Sequence, residues 1–490
     1  MVDVLLNSGD GAVRTSKARV AYHPKPRQAS DIRHHQQRVS APKSNSKEPL
    51  VQAQALCEAG DYDAAWAIVD RALTYGDPNE PNALIIACQV QVKWRNLTVA
   101  YQFAKRLTEV AGDRCQSWLN LGYLEEQFYR FDDAENCYRR AIAIARSDDE
   151  KGAIYMNWSS LLCSRADWES AEVMARKAMR YRPKSPKPKA NLGIALLAQH
   201  KWREGWPLYN QGLGIEAFTV RAKLNYADAP DWDGRRCKLI VYGEQGLGDE
   251  ISFASMIPDA CKAADVIVDC DYRLKGLFTR SFPNAEVHGT RWAQPEQRGW
   301  VDRVKADAKV SVGQLGQFFR NDPADFTGKP YLIPCPDRTA MWKALFKSFG
   351  KPVIGVAWSG GLPYTADRFR RWTLEEMLPL FERDAVYVSL QYQDAAREIA
   401  TFRDNNPSID LRQYAYGTLT KDYDDTAALV AACDEVVSMQ TSVIHLAGAL
   451  GVPTTCYVNR YSQWRYGKDS FPWAKSVNLK RANTDGSWTL

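Results

Sequence analysis

The sequence predicts an α + α/β protein: a helical repeat solenoid followed by two α/β lobes, each built on a parallel sheet. Three observations carry this. Small residues recur at a near-constant spacing between about residues 49 and 215. Beyond about residue 237, short apolar strand-like runs alternate with helical patterns, the order that gives a parallel sheet. Residues 435–458 hold a strand, a polar turn, a helix and a second strand in succession.

A chain of 490 residues exceeds one ordinary core, so several domains are expected. Its 45% hydrophobic and 25% charged content is that of a soluble globular protein. No apolar run approaches the roughly 18 residues of a membrane helix, and Met1–Leu6 is too short and too acidic for a signal peptide. The expected location is therefore the cytoplasm. Eleven cysteines without a C-x-x-C pair read as reduced core thiols, and no metal site is expected. The net charge of +6 is concentrated in residues 1–48, where nine Lys and Arg face four acidic residues. Nucleic acid is thus not favoured as a partner, although a local basic patch stays open. The same 1–48 segment is polar, carries Pro24, Pro26 and Pro42, and is expected to be a disordered basic tail.

Over 49–215 the small residues Ala65, Ala100, Ala134, Ala171 and Gly205 follow one another at offsets of 35, 34, 37 and 34. The first four are each followed seven positions later by an apolar partner: Ala72, Leu107, Ala141 and Ala178. A period near 34 with paired helices resembles the tetratricopeptide repeat, in which small residues let two helices approach. Ser147–Glu150 reads as an insertion between units that accounts for the offset of 37.

Residues 216–236 form a turn-rich junction around Ala227–Gly234. A first Rossmann-like lobe is expected over 237–335, opening with strand Lys238–Tyr242, glycine turn Gly243–Asp249 and a helix from Glu250. A second is expected over 336–490, with strands within 352–358, 385–390, 435–438 and 454–458. In the second lobe, Thr441 or Ser442 can cap a helix that Gly451 and Pro453 stop. Such a helix start, at the carboxyl end of a parallel strand, favours a phosphate. An ordinary capped βαβ unit is the alternative.

The segment Thr441-Ser442-x-x-His445-Leu446-Ala447-Gly448-Ala449-Leu450-Gly451-x-Pro453 resembles the donor-site segment of the ADP-heptose:lipopolysaccharide heptosyltransferase family. More closely, it is similar to that of bacterial proteins that fuse tetratricopeptide repeats to such a transferase. That family usually has an acidic residue before the Thr; here the position is Gln440. The resemblance spans about residues 50–490 and implies a two-lobed GT-B fold, with the first lobe on the acceptor side and the second on the nucleotide-sugar side.

The glycine turn follows G-x-x-G-x-G and not the dinucleotide fingerprint. Its glycines, Gly246 and Gly248 among them, let backbone approach a ligand, while Asp249 at the helix start can be a simple cap. By resemblance, Asp249 is the general base that takes the acceptor hydroxyl's proton. Trp358-Ser359-Gly360-Gly361 precedes Asp367–Trp372, whose three arginines read either as a solvated loop or, by resemblance, as the place where Arg370 contacts the donor diphosphate. Ser389-Leu390-Gln391 matches a family segment that more often builds the cleft wall. With Ser359, Gln391, Gln440, Thr441, Ser442 and His445 it completes the expected substrate-binding set. The late Trp464-Arg465 and Pro472-Trp473 match family landmarks, with packing the favoured reading of their aromatics.

The resemblance implies a metal-independent, inverting glycosyltransferase that uses a nucleotide sugar and needs no cofactor. The repeats are expected to help select an acceptor glycan or protein. A non-catalytic repeat protein with a degenerate transferase domain is the alternative, with Gln440 its main support.

Overall fold

The computed structural model describes residues 47–215, 221–293, 298–361, 370–420, 422–467 and 470–483. The basic tail, up to residue 46, and Asp367 and Arg368 lie outside them. The chain divides into two compact units, one built on 47–163 and 170–191, the other on 164–169, 192–215 and the described residues from 221 onward.

The first unit is made of helical hairpins. Lys47–Ala59, Pro81–Lys93 and Cys115–Gln127 are 13 residues long, and each is followed by a 14-residue partner: Tyr62–Tyr75, Leu97–Val110 and Phe131–Ile144. Ala65, Ala100 and Ala134 are fully buried where the helices of a hairpin meet, which is what a methyl side chain permits and a larger one would not. The turn inside each repeat has its own mark. Gly60, Arg95, Tyr129, Ala166 and His200 all have positive φ, five residues ahead of each small residue. The sequence pattern thus reports one backbone turn repeated five times. The extra residues at Ser147–Glu150 are helical from Asp148 onward. Helix Asp148–Ser164 runs 17 residues, and Glu150 accepts hydrogen bonds from the backbone N–H of Arg146 (2.6 Å) and Ser147 (3.0 Å) at its start. The 37-residue step is therefore an added helical turn.

The second unit holds two parallel sheets. In the first, β1 (Lys238–Tyr242), β2 (Asp265–Asp269), β3 (Ala285–His288) and β4 (Ala308–Ser311) are ordered β3-β2-β1-β4. In the second, β5 (Val353–Ala357), β6 (Val386–Ser389), β7 (Asp410–Gln413), β8 (Glu435–Met439), β9 (Thr454–Val458) and β10 (Val477–Arg481) are ordered β10-β9-β8-β5-β6-β7. Every pairing is parallel. Each sheet reverses direction of growth beside its first strand, at β1/β4 and at β5/β8. Such switch points, at the carboxyl ends of the strands, are where open parallel sheets bind ligands.

The junction around residues 227–234 adds to the first sheet. Trp232 N–H donates to the Lys309 carbonyl (2.8 Å), and Lys309 N–H to that of Pro230 (2.8 Å). The two lobes are tied by the Tyr331 segment. Its hydroxyl donates to the Ile251 carbonyl (2.6 Å) and its N–H to the Ala449 carbonyl (2.9 Å), linking the helices that follow β1 and β8. Arg280 and the buried Asp424 form a further ion pair between the lobes. Among the described residues, no helix is long and apolar enough to cross a membrane.

Candidate functional site

The helix after β1 begins at Leu247, three residues earlier than the glycines suggest, and runs to Ala254. Gly246 is its N-cap residue in extended conformation, with no side chain involved, so Asp249 is not the cap. Asp249 lies in the first turn, where the helix dipole favours a carboxylate. It forms an ion pair through Oδ1 with Arg465, which is buried. Its Oδ2 lies 3.2 Å from where a β-carbon on residue 246 would be, so Gly246 leaves that oxygen uncrowded.

Behind the turn sits a buried charged layer. Glu244 pairs with Arg221 (2.9 Å), and Arg221 also donates to the Tyr209 carbonyl (2.5 Å). Arg291 donates to the Gln245 carbonyl (2.6 Å) and pairs with Glu250 (3.0 Å). Glu250 accepts the Asp271 N–H (2.9 Å) and presses against Gly243, where any β-carbon would lie 2.5 Å from the carboxylate. Burial raises the Glu250 carboxyl to about 7 against the opposing pull of Arg291. Leaving one of these charges unpaired in such a site costs several kcal/mol, so the turn is held in one shape. Glu244 and Glu250 are thus committed to structural pairs.

Across the cleft, helix Ser442–Leu450 follows β8, and Thr441 caps it by accepting the Val443 N–H (3.2 Å). Gly451, at φ 80°, ends it. Both ends match the reading from sequence. His445 is buried one turn in, its Nε2 3.4 Å from the Tyr466 hydroxyl, and burial with the nearby Arg465 charge lowers it to about 3. His445 is therefore neutral. Gln440 is 2% exposed, and neither of its amide atoms has a hydrogen-bond partner among the described residues.

A cleft beside this helix start is lined by Ser359, Gly360, Gln391, Thr441 and Ser442. Gln391 Nε2 donates to Ser359 Oγ (2.5 Å), joining the ends of β5 and β6. Arg370 flanks the same edge: its carbonyl accepts the Gly360 N–H (3.2 Å), and a β-carbon on residue 360 would meet Thr441 Cγ2 at 2.6 Å. Gly248 closes the gap between lobes, since a β-carbon there would lie 3.2 Å from Ser442 Cα. Residues from both lobes thus meet at one point, with Gly248 from the first facing Ser442 and His445 from the second, and Asp249, next to Gly248, paired with Arg465. The late aromatics pack: Trp464 lies 5.3 Å from Tyr209 and 5.8 Å from Trp206, ring centre to ring centre, and Trp473 5.6 Å from Phe253. Sequence reasoning gave no role to Arg465, Arg221 or Arg291. The Trp464-Arg465 landmark was the available signal for the first, and the other two have none in local pattern. Among the described residues, no group of three or more His, Cys, Asp or Glu side chains could hold a metal ion.

No family model matches the chain. It is 32% identical over 351 residues to protein FlbA of Caulobacter vibrioides, an alignment covering 65% of this chain and 56% of that protein. The chain thus spans little more than half the length of this curated relative. Among solved structures it is similar to the type IV pilus biogenesis factor PilW (15% identity, 34% of this chain and 75% of that one, TM-score 0.31). It is also similar to a family 9 glycosyl transferase of Veillonella parvula (12%, 52% and 89%, TM-score 0.37). A third is ADP-heptose lps heptosyltransferase II of E. coli (15%, 51% and 92%, TM-score 0.37). The chain carries paired helical hairpins of the tetratricopeptide type and a second unit of two Rossmann-like lobes, each built on a parallel sheet.

Proposed function

We propose that this protein is a glycosyltransferase that moves a sugar from a nucleotide-diphosphate donor to an acceptor hydroxyl. The observation that carries the reading is the close approach of Gly248, the residue before Asp249, to the start of helix Ser442–Leu450, both helices following parallel strands at their carboxyl ends. The donor diphosphate occupies the helix start and the cleft beside Ser359, Gln391, Thr441 and Ser442, where first-turn N–H groups and the dipole favour negative charge. Arg370 offsets charge on the departing nucleotide, so protein groups serve where other transferases use a metal.

The reaction is a single displacement with inversion. As the acceptor oxygen bonds to the anomeric carbon, its proton passes to Asp249. The bond from anomeric carbon to phosphate oxygen breaks, and its electron pair stays on the nucleoside diphosphate. No cofactor enters this scheme. The repeats contribute to acceptor choice, whether glycan or protein, because a solenoid offers a long surface while the donor residues all lie beyond residue 240.

A non-catalytic interaction protein is the second reading, and one observation favours it: Gln440 stands where the resembling family has an acid. A thermal-shift screen of nucleoside diphosphates and nucleotide sugars, followed by a transfer assay on any ligand that stabilises the fold, separates the two. Turnover supports the enzyme. Binding without turnover in any acceptor screen supports the second reading.

A further inference from the structure

We propose that Arg465 is the residue that positions Asp249 for proton transfer, holding Oδ1 so that Oδ2 is presented to the acceptor hydroxyl. The inference rests on the reading of Asp249 as general base. Arg465 Nη2 pairs with Oδ1, while Oδ2 lies over Gly246 with no hydrogen-bond partner among the described residues. The pair is asymmetric in burial, 5% of the Arg465 side chain being exposed against 21% of that of Asp249. The guanidinium is thus enclosed while the carboxylate keeps the access an incoming hydroxyl needs. An ion pair with so enclosed a guanidinium is a weak source of stability, so stability alone does not account for it.

Arg465 is itself held in place. Its Nη2 donates to Gln463 Oε1 (2.8 Å), and Trp464 before it packs on Tyr209. The Tyr466 carbonyl after it accepts from Arg481 Nη2 (2.6 Å). A planar guanidinium on such a support fixes the orientation of a carboxylate better than a lysine would, and proton transfer depends on orientation to within a fraction of an ångström. The other titratable groups around the pair come from four segments of the chain. They are neutral His445, the protonated hydroxyls of Tyr466 and Tyr209, and Arg370, whose charge reaches Tyr466. Among the described residues, Arg465 is the cation that forms an ion pair with Asp249.

The test is a double-mutant cycle in the full chain. It is read as release of nucleoside diphosphate from UDP-glucose, UDP-N-acetylglucosamine, GDP-mannose or ADP-glucose, with water as acceptor, and as donor Kd by calorimetry. Arg465→Gln is expected to lower kcat by about 10- to 100-fold with donor Kd unchanged, and Arg465→Lys to recover part of the loss. On an Asp249→Asn background, Arg465→Gln should add less than about twofold, because a residue acting through another has nothing left to act on. Multiplying losses, or a weakened donor Kd with kcat intact, would overturn the proposal and make Arg465 a donor ligand. If Arg465→Gln does not fold, Arg465→Lys takes its place in the cycle. A kcat loss confined to the Asp249 background supports the proposal, and equal loss in both backgrounds overturns it. Full turnover by Asp249→Asn removes the base itself, a failure distinct from that of Arg465. No release from any of the four donors by the wild-type chain counts against the enzymatic reading on which both rest.

Discussion

Gly248 faces Ser442 across the two lobes so closely that a β-carbon on residue 248 would sit 3.2 Å from Ser442 Cα and 3.0 Å from His445 Cδ2. Neither neighbour can yield easily. One contact is to backbone at a capped helix start, and the other is to a ring that is 6% exposed. Gly248→Ala is therefore expected to force the helices apart by a few tenths of an ångström, costing about 1–3 kcal/mol as overpacking does. If Asp249 is the base and the donor sits at helix Ser442–Leu450, the shift moves the two apart, and kcat should fall more than donor affinity. Urea unfolding and steady-state kinetics check both halves, and a variant with wild-type stability and turnover would show that the lobes close differently.

Arg370 sits on the edge of the same cleft through its bond to Gly360, which in turn touches Thr441. If its guanidinium meets the leaving diphosphate, Arg370→Ala should weaken donor binding and turnover together, by about 10-fold or more, and Arg370→Lys should recover part of each. Calorimetric titration with a nucleoside diphosphate reads the first effect. Unchanged affinity would move the role to Arg371 or Arg368.

Much of this architecture was legible because it is written locally. Lys238–Tyr242 and Thr454–Val458 are short apolar runs bounded by glycine or proline, and both are strands over those residues. Helix Ser442–Leu450 carries its cap and its stop in sequence. Two glycines in Gly243–Asp249 read as loop, yet an extended Gly246 needs no side chain to begin a helix, which therefore starts at Leu247. The same locality explains what was missed. Arg221 meets Glu244, Arg291 meets Glu250 and Arg465 meets Asp249, over separations that no periodic pattern records.

Two buried groups give stability an opposed dependence on pH. His445 is lowered from 6.5 to about 3, so the stability it contributes is complete above 6.5 and is lost as pH falls toward 3. Glu250 is raised from 4.5 to about 7, so the folded state takes up its proton first and gains as pH falls from 7 to 4.5. At about 1.4 kcal/mol for each tenfold change in proton affinity, each effect is on the order of a few kcal/mol, and between pH 4.5 and 6.5 they oppose one another. His445→Gln should leave a chain that becomes more stable toward pH 4.5, and Glu250→Gln one that becomes less stable. Urea unfolding at about pH 4.5, 5.5, 6.5 and 7.5 checks the signs; parallel slopes in the two variants would contradict the assignment.

The repeats can be removed only at the right place. A cut at residue 215 follows the repeat period, but residues 192–215 belong to the second compact unit. Within that unit Trp206 is fully buried, its indole N–H donates to the Arg320 carbonyl (2.7 Å), and its ring fills the space where a β-carbon on Gly316 would lie 2.5 Å away. It also packs on Phe253 in the helix that carries Asp249 and on Trp464 beside Arg465. Loss of a buried tryptophan alone costs about 3–5 kcal/mol, a large share of a domain's net stability. A chain of residues 216–490 is therefore expected to unfold or aggregate. A chain of residues 184–490 keeps helix Pro186–Ala198 whole together with helix Trp202–Tyr209, and should fold cooperatively. If donor binding belongs to the two lobes and acceptor choice to the repeats, 184–490 should bind the nucleotide with near wild-type Kd and lose acceptor-dependent turnover. Circular dichroism melts and calorimetry on both truncations decide it. A folded 184–490 chain that no longer binds nucleotide would overturn that division of labour, and a stable 216–490 chain would show that Trp206 is dispensable to the core.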